Sequence, residues 1–119
     1  SDYDYNSAIE ILSVAKQYVQ ALFFLHLSIE KLLKALVVNE TKSHAPYSHN
    51  LIYLAQKSGV SFNKEQLALL SEINEFNLEC RYPDAQFRIY KRANATLLKR
   101  YSKQITELRL WILEILKKN

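Results

Sequence analysis

Two short polar segments carry residue types that could recognise an anion. Glu30, Lys31 and Lys34 interrupt an otherwise apolar stretch, and Arg81 and Tyr82 stand directly before a proline. A planar guanidinium beside an aromatic ring at a chain reversal suits the recognition of phosphate or carboxylate. The same guanidinium could instead pair with Glu30 as a structural clamp, and the residues alone leave both alternatives open.

The histidines and the cysteine do not form a recognisable metal site or nucleophile. His44 and His49 have no cysteine or carboxylate at metal-ligand spacing. His26 lies among apolar residues, so we predict that it is a hydrogen-bonded packing residue. Cys80 has no histidine close to it in sequence and is expected to be a buried thiol. We therefore expect no metal ion and no cofactor.

The chain has 119 residues, with one glycine and one cysteine. A single domain of that length can bury a sizeable core. One glycine excludes glycine-rich phosphate loops and argues against an all-β fold, whose tight turns need residues that tolerate a positive φ. One cysteine excludes an internal disulfide and favours a reducing, cytoplasmic location.

No segment predicts membrane insertion or export. The longest apolar runs, at residues 21–25 and 35–38, are far shorter than the ~20 residues that cross a bilayer. The acidic N-terminus lacks the basic region of a signal peptide. The sequence contains no methionine, which predicts that the chain is trimmed or excised.

Apolar residues recur at helical spacing along most of the chain and predict an antiparallel, up-and-down bundle of about five helices. The predicted helices cover residues 6–17, residues 18–40, residues 48 to 57 or 58, residues 64–80, and a last stretch from about residue 85 or 89 to residue 117. The boundary between the first two is weak, so one continuous rod is an alternative. All of them belong to a single domain over residues 1–119.

Residues with capping side chains mark several helix ends. Ser48 is predicted to be the N-cap of the short helix, and Gly59 is predicted to end it. Asn63 and Gln66 resemble a capping box at the start of the next helix. Pro83 is predicted to end that helix, because proline disfavours the α conformation of the residue before it.

Charge is unevenly divided along the chain. Residues 1–80 carry six basic and nine acidic groups, whereas residues 81–119 carry ten basic and three acidic groups. On the last predicted helix the spacing of 100° per residue places a basic stripe opposite the apolar positions, formed by Arg88, Arg92, Lys99 and Lys103. This basic stripe could bind an anionic partner, remain solvated, or pair with acidic residues of the same fold.

The helix before it carries an acidic stripe by the same arithmetic, formed by Glu65, Glu72, Glu75 and Glu79. The two stripes could face each other across a helix pair or across a dimer contact. The sequence does not decide between these arrangements.

Three motifs, in order along the chain, resemble the signature of the HEPN domain family. Residues 24–36 contain the pattern E-K-x-L-K-A, residues 48–54 contain H-x-L-x-x-L, and residues 81–84 read R-Y-P-D. Their separations are similar to those of the family, and the resemblance extends across nearly the whole chain.

The resemblance implies a helical bundle that forms a homodimer in the prokaryotic cytoplasm. Such domains are often encoded beside a small nucleotidyltransferase, as its substrate-binding partner or its counterpart in a toxin–antitoxin pair. Others resemble metal-independent ribonucleases that use an Arg followed, after four to six residues, by a His. Here residues 86–88, at that spacing after Arg81, are Gln, Phe and Arg, and no Arg precedes any His. Because none of the three titrates near neutral pH, we expect no ribonuclease activity of that type.

The leading hypothesis is therefore a nucleotidyltransferase-associated HEPN module that binds a nucleotide or a partner protein and is not catalytic by itself. Arg81 and Lys34 are predicted to contact the anion, with Lys31 as a weaker candidate. Membranes are not expected as partners, and RNA is not favoured.

Three other residues would shape this site. Glu30 would orient Arg81, His49 would form hydrogen bonds, and Tyr82 would stack. Two alternative functions stay open. One is an RNA-cleaving toxin with a rearranged active site, and the other is a purely structural module whose basic stripe docks on an acidic surface.

Overall fold

The computed structural model describes the backbone of residues 2–79 and 95–118, and the side chains of residue 17, residues 20–77, residue 96 and residues 99–118. Four helices make up these ranges: α1 (Asp2–Thr41), α2 (Leu51–Ser58), α3 (Lys64–Glu79) and α4 (Ala95–Lys117). No strand occurs within them, and the prediction of an all-α helical bundle is confirmed.

The first two predicted helices form one continuous helix. α1 runs for 40 residues, through the weak boundary between residues 17 and 18, so the alternative of a single rod is the correct one. No glycine or proline occurs within it. As a result, no residue there removes a backbone hydrogen bond or favours a left-handed turn. The expected five helices become four within the described ranges for this reason.

α1 ends in a left-handed residue rather than at a proline. Lys42 has a φ of 57°, and its backbone N–H donates to the carbonyl of Val38 at 2.9 Å. This geometry matches the αL motif that terminates many helices. The hydroxyl of Thr41 donates to the carbonyl of Val37 at 2.6 Å, which satisfies a second carbonyl of the last turn.

The N-cap of α2 is Asn50, and the prediction of Ser48 is wrong. Asn50 Oδ1 accepts the backbone N–H groups of Ile52 at 3.1 Å and Tyr53 at 3.3 Å. Ser48 lies two residues too early to cap this helix, and its Oγ accepts the N–H of Asn50 at 3.1 Å instead. The predicted end is confirmed, because α2 ends at Ser58 and the single glycine follows it with a φ of 73°.

α3 begins with the predicted capping box. The backbone N–H of Gln66 donates to Asn63 Oδ1 at 2.7 Å, and the backbone N–H of Asn63 donates to Gln66 Oε1 at 2.9 Å. Two helix-start donors are thereby satisfied reciprocally. The predicted start at residue 64 is confirmed, and the helix continues to Glu79, the last described residue before the predicted end at residue 80.

The core forms where α1 packs against the other three helices. Its largest fully buried side chains are aliphatic: Ile29, Leu33, Leu36, Leu51, Leu54, Leu70, Ile105 and Ile112. Burying each of these stabilises the fold by about 1.5–3 kcal/mol relative to leaving it exposed. Because α1 lies centrally, any polar side chain on its inner face needs a partner.

One polar contact ties α3 to α4. The buried Tyr101 hydroxyl donates to the Glu72 carboxylate, and Arg100 Nη2 lies 3.7 Å from the same carboxylate. Burial, followed by the hydrogen bond and charge of Glu72, raises the pKa of Tyr101 to about 12. Glu72 of the acidic stripe therefore meets α4 through residues that lie outside the basic stripe.

The described part of the basic stripe remains exposed. Lys99 and Lys103 on α4 are exposed and form no ion pair with any described residue, so the arrangement in which the two stripes pair is not seen at these positions. Arg88 and Arg92 lie outside the described residues.

Candidate functional site

The middle of α1 presents a buried carboxylate. Glu30 is only 5% exposed, and its Oε1 lies 2.9 Å from Nδ1 of His49. Its Oε2 accepts a hydrogen bond from Lys34 Nζ at 3.3 Å. We refer to Glu30, Lys34 and His49 as the Glu30 cluster.

The environment of Glu30 stabilises its ionised form. Burial raises the pKa of the Glu30 carboxyl, but the hydrogen bonds from His49 and Lys34 and the charges of these two groups outweigh that effect. The pKa of Glu30 is therefore lowered from its ordinary value of 4.5. A buried carboxylate of this kind is a fixed negative charge to which neighbouring donors must orient.

The hydrogen bond to Glu30 determines which nitrogen of His49 carries a proton. An ionised carboxylate only accepts hydrogen bonds, so Nδ1 of His49 must donate. In the neutral ring Nε2 then holds the lone pair, and in the protonated ring Nε2 becomes a second donor. The His49 side chain is 49% exposed, so a ligand can approach the ring from solvent.

Two asparagines hold the loop that carries His49. The side chain of Asn50, the next residue, caps α2 and accepts a hydrogen bond from Asn74 Nδ2 at 2.9 Å. Asn74 Oδ1 on α3 accepts the backbone N–H of Leu51 at 2.9 Å. His49 is thus held by Glu30 through its side chain and by the Asn50–Asn74 contact through the adjacent backbone.

Two lysines of α1, Lys31 and Lys34, lie at or beside the cluster and are accessible to solvent. Lys34 donates one of its three N–H groups to Glu30, and its side chain is 27% exposed. Lys31 is exposed on the preceding turn of α1 and forms no ion pair with any described residue. Residues three apart on a helix are neighbours, so these two ammonium groups can reach one ligand.

The structure brings together three of the predicted site residues, Glu30, Lys34 and His49, with Lys31 beside them. Glu30 and Lys34 are four residues apart on one helix, a spacing that makes side chains neighbours, whereas the contact with His49 spans 19 residues of chain. Arg81 and Tyr82 lie outside the described residues. The expectation that Glu30 orients Arg81 therefore stays a prediction, and both Glu30 oxygens have other partners here.

Residues that were not predicted also contribute to this region. Asn50 and Asn74 position the loop. The sequence contains a signal for Asn50 alone, because an asparagine directly before an apolar run is a typical N-cap. The burial of His26 confirms that it is a packing residue, whereas its Nδ1 lies 3.8 Å from Glu30 Oε1, which is beyond hydrogen-bond distance. Within the part of the chain that is described, no three metal-ligating side chains gather into a site.

A groove of about 320 Å³ lies elsewhere, between α3 and α4. Glu65, Gln66 and Trp111 are among the residues that line it, and none of the predicted site residues does. The Glu30 cluster therefore does not line this groove.

One protein-family model matches almost the whole chain. The HEPN domain model matches residues 1–114. The chain belongs to the HEPN domain family. All predicted site residues of this HEPN domain, including Arg81 and Tyr82, fall within the matched span. Neither the curated proteins nor the solved structures include a match to the chain. No helix in the described ranges of the domain is long and apolar enough to cross a membrane.

Replacing Glu30 by Gln should destabilise the HEPN domain in a pH-dependent way. At pH 7 we expect Glu30→Gln to lower the free energy of unfolding by about 1–3 kcal/mol, because His49 and Lys34 lose a charged partner. Since the folded state lowers the pKa of Glu30, its ionised form contributes stability above the ordinary pKa of 4.5 and loses it below that value. The difference in free energy of unfolding between the wild-type protein and Glu30→Gln, measured by urea titration, should therefore become smaller below pH 4.5.

The matched control is Glu75→Gln, which removes a charge from an exposed position on α3. It should change the free energy of unfolding by less than about 0.5 kcal/mol. Equal effects of the two variants at pH 7 would contradict the role assigned to Glu30.

Proposed function

We propose that this HEPN domain is a nucleotide-binding module that is not catalytic by itself and that partners a small nucleotidyltransferase. The observation that carries the proposal is the Glu30 cluster, in which a buried carboxylate holds Lys34 and a half-exposed His49 at the surface. The lone cysteine supports a cytoplasmic setting.

The charges of the region support binding of an anion. Glu30 compensates one positive charge, and Lys31 remains exposed beside it. A phosphate group could therefore accept hydrogen bonds from Lys34 and Lys31 and from Nε2 of a protonated His49. Because Glu30 has oriented two of these groups in advance, binding loses less side-chain entropy than it would with free surface lysines.

Calorimetric titration with ATP and GTP tests the nucleotide proposal. Lys31→Gln/Lys34→Gln should weaken binding at least about tenfold, since each charge-assisted hydrogen bond contributes about 1.5–3 kcal/mol. The matched control, Lys99→Gln/Lys103→Gln, removes the same charge from α4 and should change the affinity less than about twofold. Thermal unfolding of both variants checks that each is folded. Absence of binding to the wild-type protein at millimolar nucleotide would contradict the proposal.

The partnership is supported by the family membership and by the exposed lysines of α4. We expect a homodimer of this prokaryotic module to bind the nucleotidyltransferase encoded beside it, as the counterpart in a toxin–antitoxin pair. Co-purification should weaken steeply between low and moderate salt, and Lys99→Glu/Lys103→Glu should weaken it further. Light scattering gives the mass of each species. If no complex forms at low salt, or if the charge reversal leaves it unchanged, this docking arrangement is wrong.

The pairing of His49 with Glu30 favours a second candidate function, metal-independent RNA cleavage with a rearranged active site. A carboxylate that orients a histidine is a common arrangement for a general base. Nε2 of neutral His49 would take the proton of a ribose 2′-hydroxyl, whose oxygen would attack the adjacent phosphorus. The 5′ oxygen would leave with a proton from solvent, which produces a cyclic phosphate end.

Incubation of purified protein with RNA in a chelating buffer tests this second function. His49→Gln should lower the cleavage rate at least about a hundredfold, the usual contribution of a general base. His44→Gln, in the same loop and also exposed, should retain the wild-type rate. RNA that stays intact with the wild-type protein would dismiss this function.

A further inference from the structure

An aromatic ring stands beside the Glu30 cluster with almost no contact to the fold. Tyr47 is 98% exposed, the most exposed of the large hydrophobic side chains in the described residues. Its ring centroid lies 6.1 Å from that of His49, with the two planes tilted by 60°. The ring thus contributes nothing to the core, and its nearest described aromatic neighbour belongs to the candidate site.

Residues that neighbour Tyr47 limit the freedom of the loop that carries it. Pro46 has a fixed φ and limits the conformation of the residue before it. Ser48 Oγ accepts the N–H of Asn50, whose side chain caps α2. Tyrosine itself has only two side-chain torsions, so a ligand that covers the ring orders few degrees of freedom.

We propose that Tyr47 is a stacking platform for the base of a nucleoside phosphate whose phosphates contact Lys31, Lys34 and His49. The inference rests on the nucleotide-binding function proposed above and adds the part of the ligand that the lysines cannot recognise. One face of the exposed ring is available to a planar base. The ring centroid of His49 is 6.1 Å away, where the phosphate end of the same molecule would lie. Every base has a π-face, so the platform favours no particular base.

Paired titrations separate the two halves of the ligand. ATP and inorganic tripolyphosphate are titrated into the wild-type protein, Tyr47→Ala and Tyr47→Phe. ATP should bind Tyr47→Ala about fivefold to about a hundredfold more weakly than wild type, the range for loss of one base–aromatic stack. Tyr47→Phe keeps the ring and should bind ATP within about twofold of wild type. Tripolyphosphate has no base and should bind all three proteins equally.

Two controls make the result specific. Tyr53→Ala removes another exposed tyrosine, which contacts Lys57 on α2, and should leave ATP binding unchanged. Thermal unfolding should be unaltered in Tyr47→Ala, because the ring is exposed.

The outcomes distinguish the stacking role of Tyr47 from the nucleotide-binding function on which it rests. If Tyr47→Ala binds ATP as tightly as wild type, the stacking role is wrong. Lys31→Gln/Lys34→Gln would still weaken both ligands in that case, and the proposed function would stand. If wild type binds neither ligand, both proposals fail.

Discussion

The buried carboxylate of Glu30 is the constraint on which the arrangement of the site depends. A negative charge on the inner half of a central helix is tolerated only when donors surround it. One donor, Lys34, comes from the same helix and needs no tertiary structure. The other, His49, must be brought from a loop, so the path of the chain after α1 is tied to the position of this charge.

That dependence extends to the next two helices. The residue after His49 is Asn50, the N-cap of α2, so the histidine and the start of the helix cannot be placed independently. The contact of Asn74 with this helix start then relates α3 to the same point. The half-exposed side chain of His49 is in this way held by the packing of three helices. Such support keeps a site in one geometry before a ligand arrives.

Local signals explain which parts of the fold the sequence predicted well. The capping box of α3 and the glycine after α2 involve residues within one turn, and both agree with the structure. The sequence predicts Ser48 instead of Asn50 as the cap of α2 because a hydroxyl and an amide are both good caps, and propensity does not separate residues two positions apart. The contact of Lys34 with Glu30 is local in the same way, because residues four apart on a helix are neighbours. The contact of Glu30 with His49 depends on the loop conformation, which periodicity does not determine.

The side-chain oxygen of Asn50 couples local unfolding at the start of α2 to the contact between α2 and α3. It accepts two backbone N–H groups of α2 and the side-chain amide of Asn74 on α3. The first turn of an eight-residue helix would ordinarily fray within the folded state, and its amides would exchange rapidly with solvent. Here the fraying of α2 must also break its contact with α3. The amides of Leu51, Ile52 and Tyr53 should therefore exchange together, as one cooperative unit that includes the backbone beside His49.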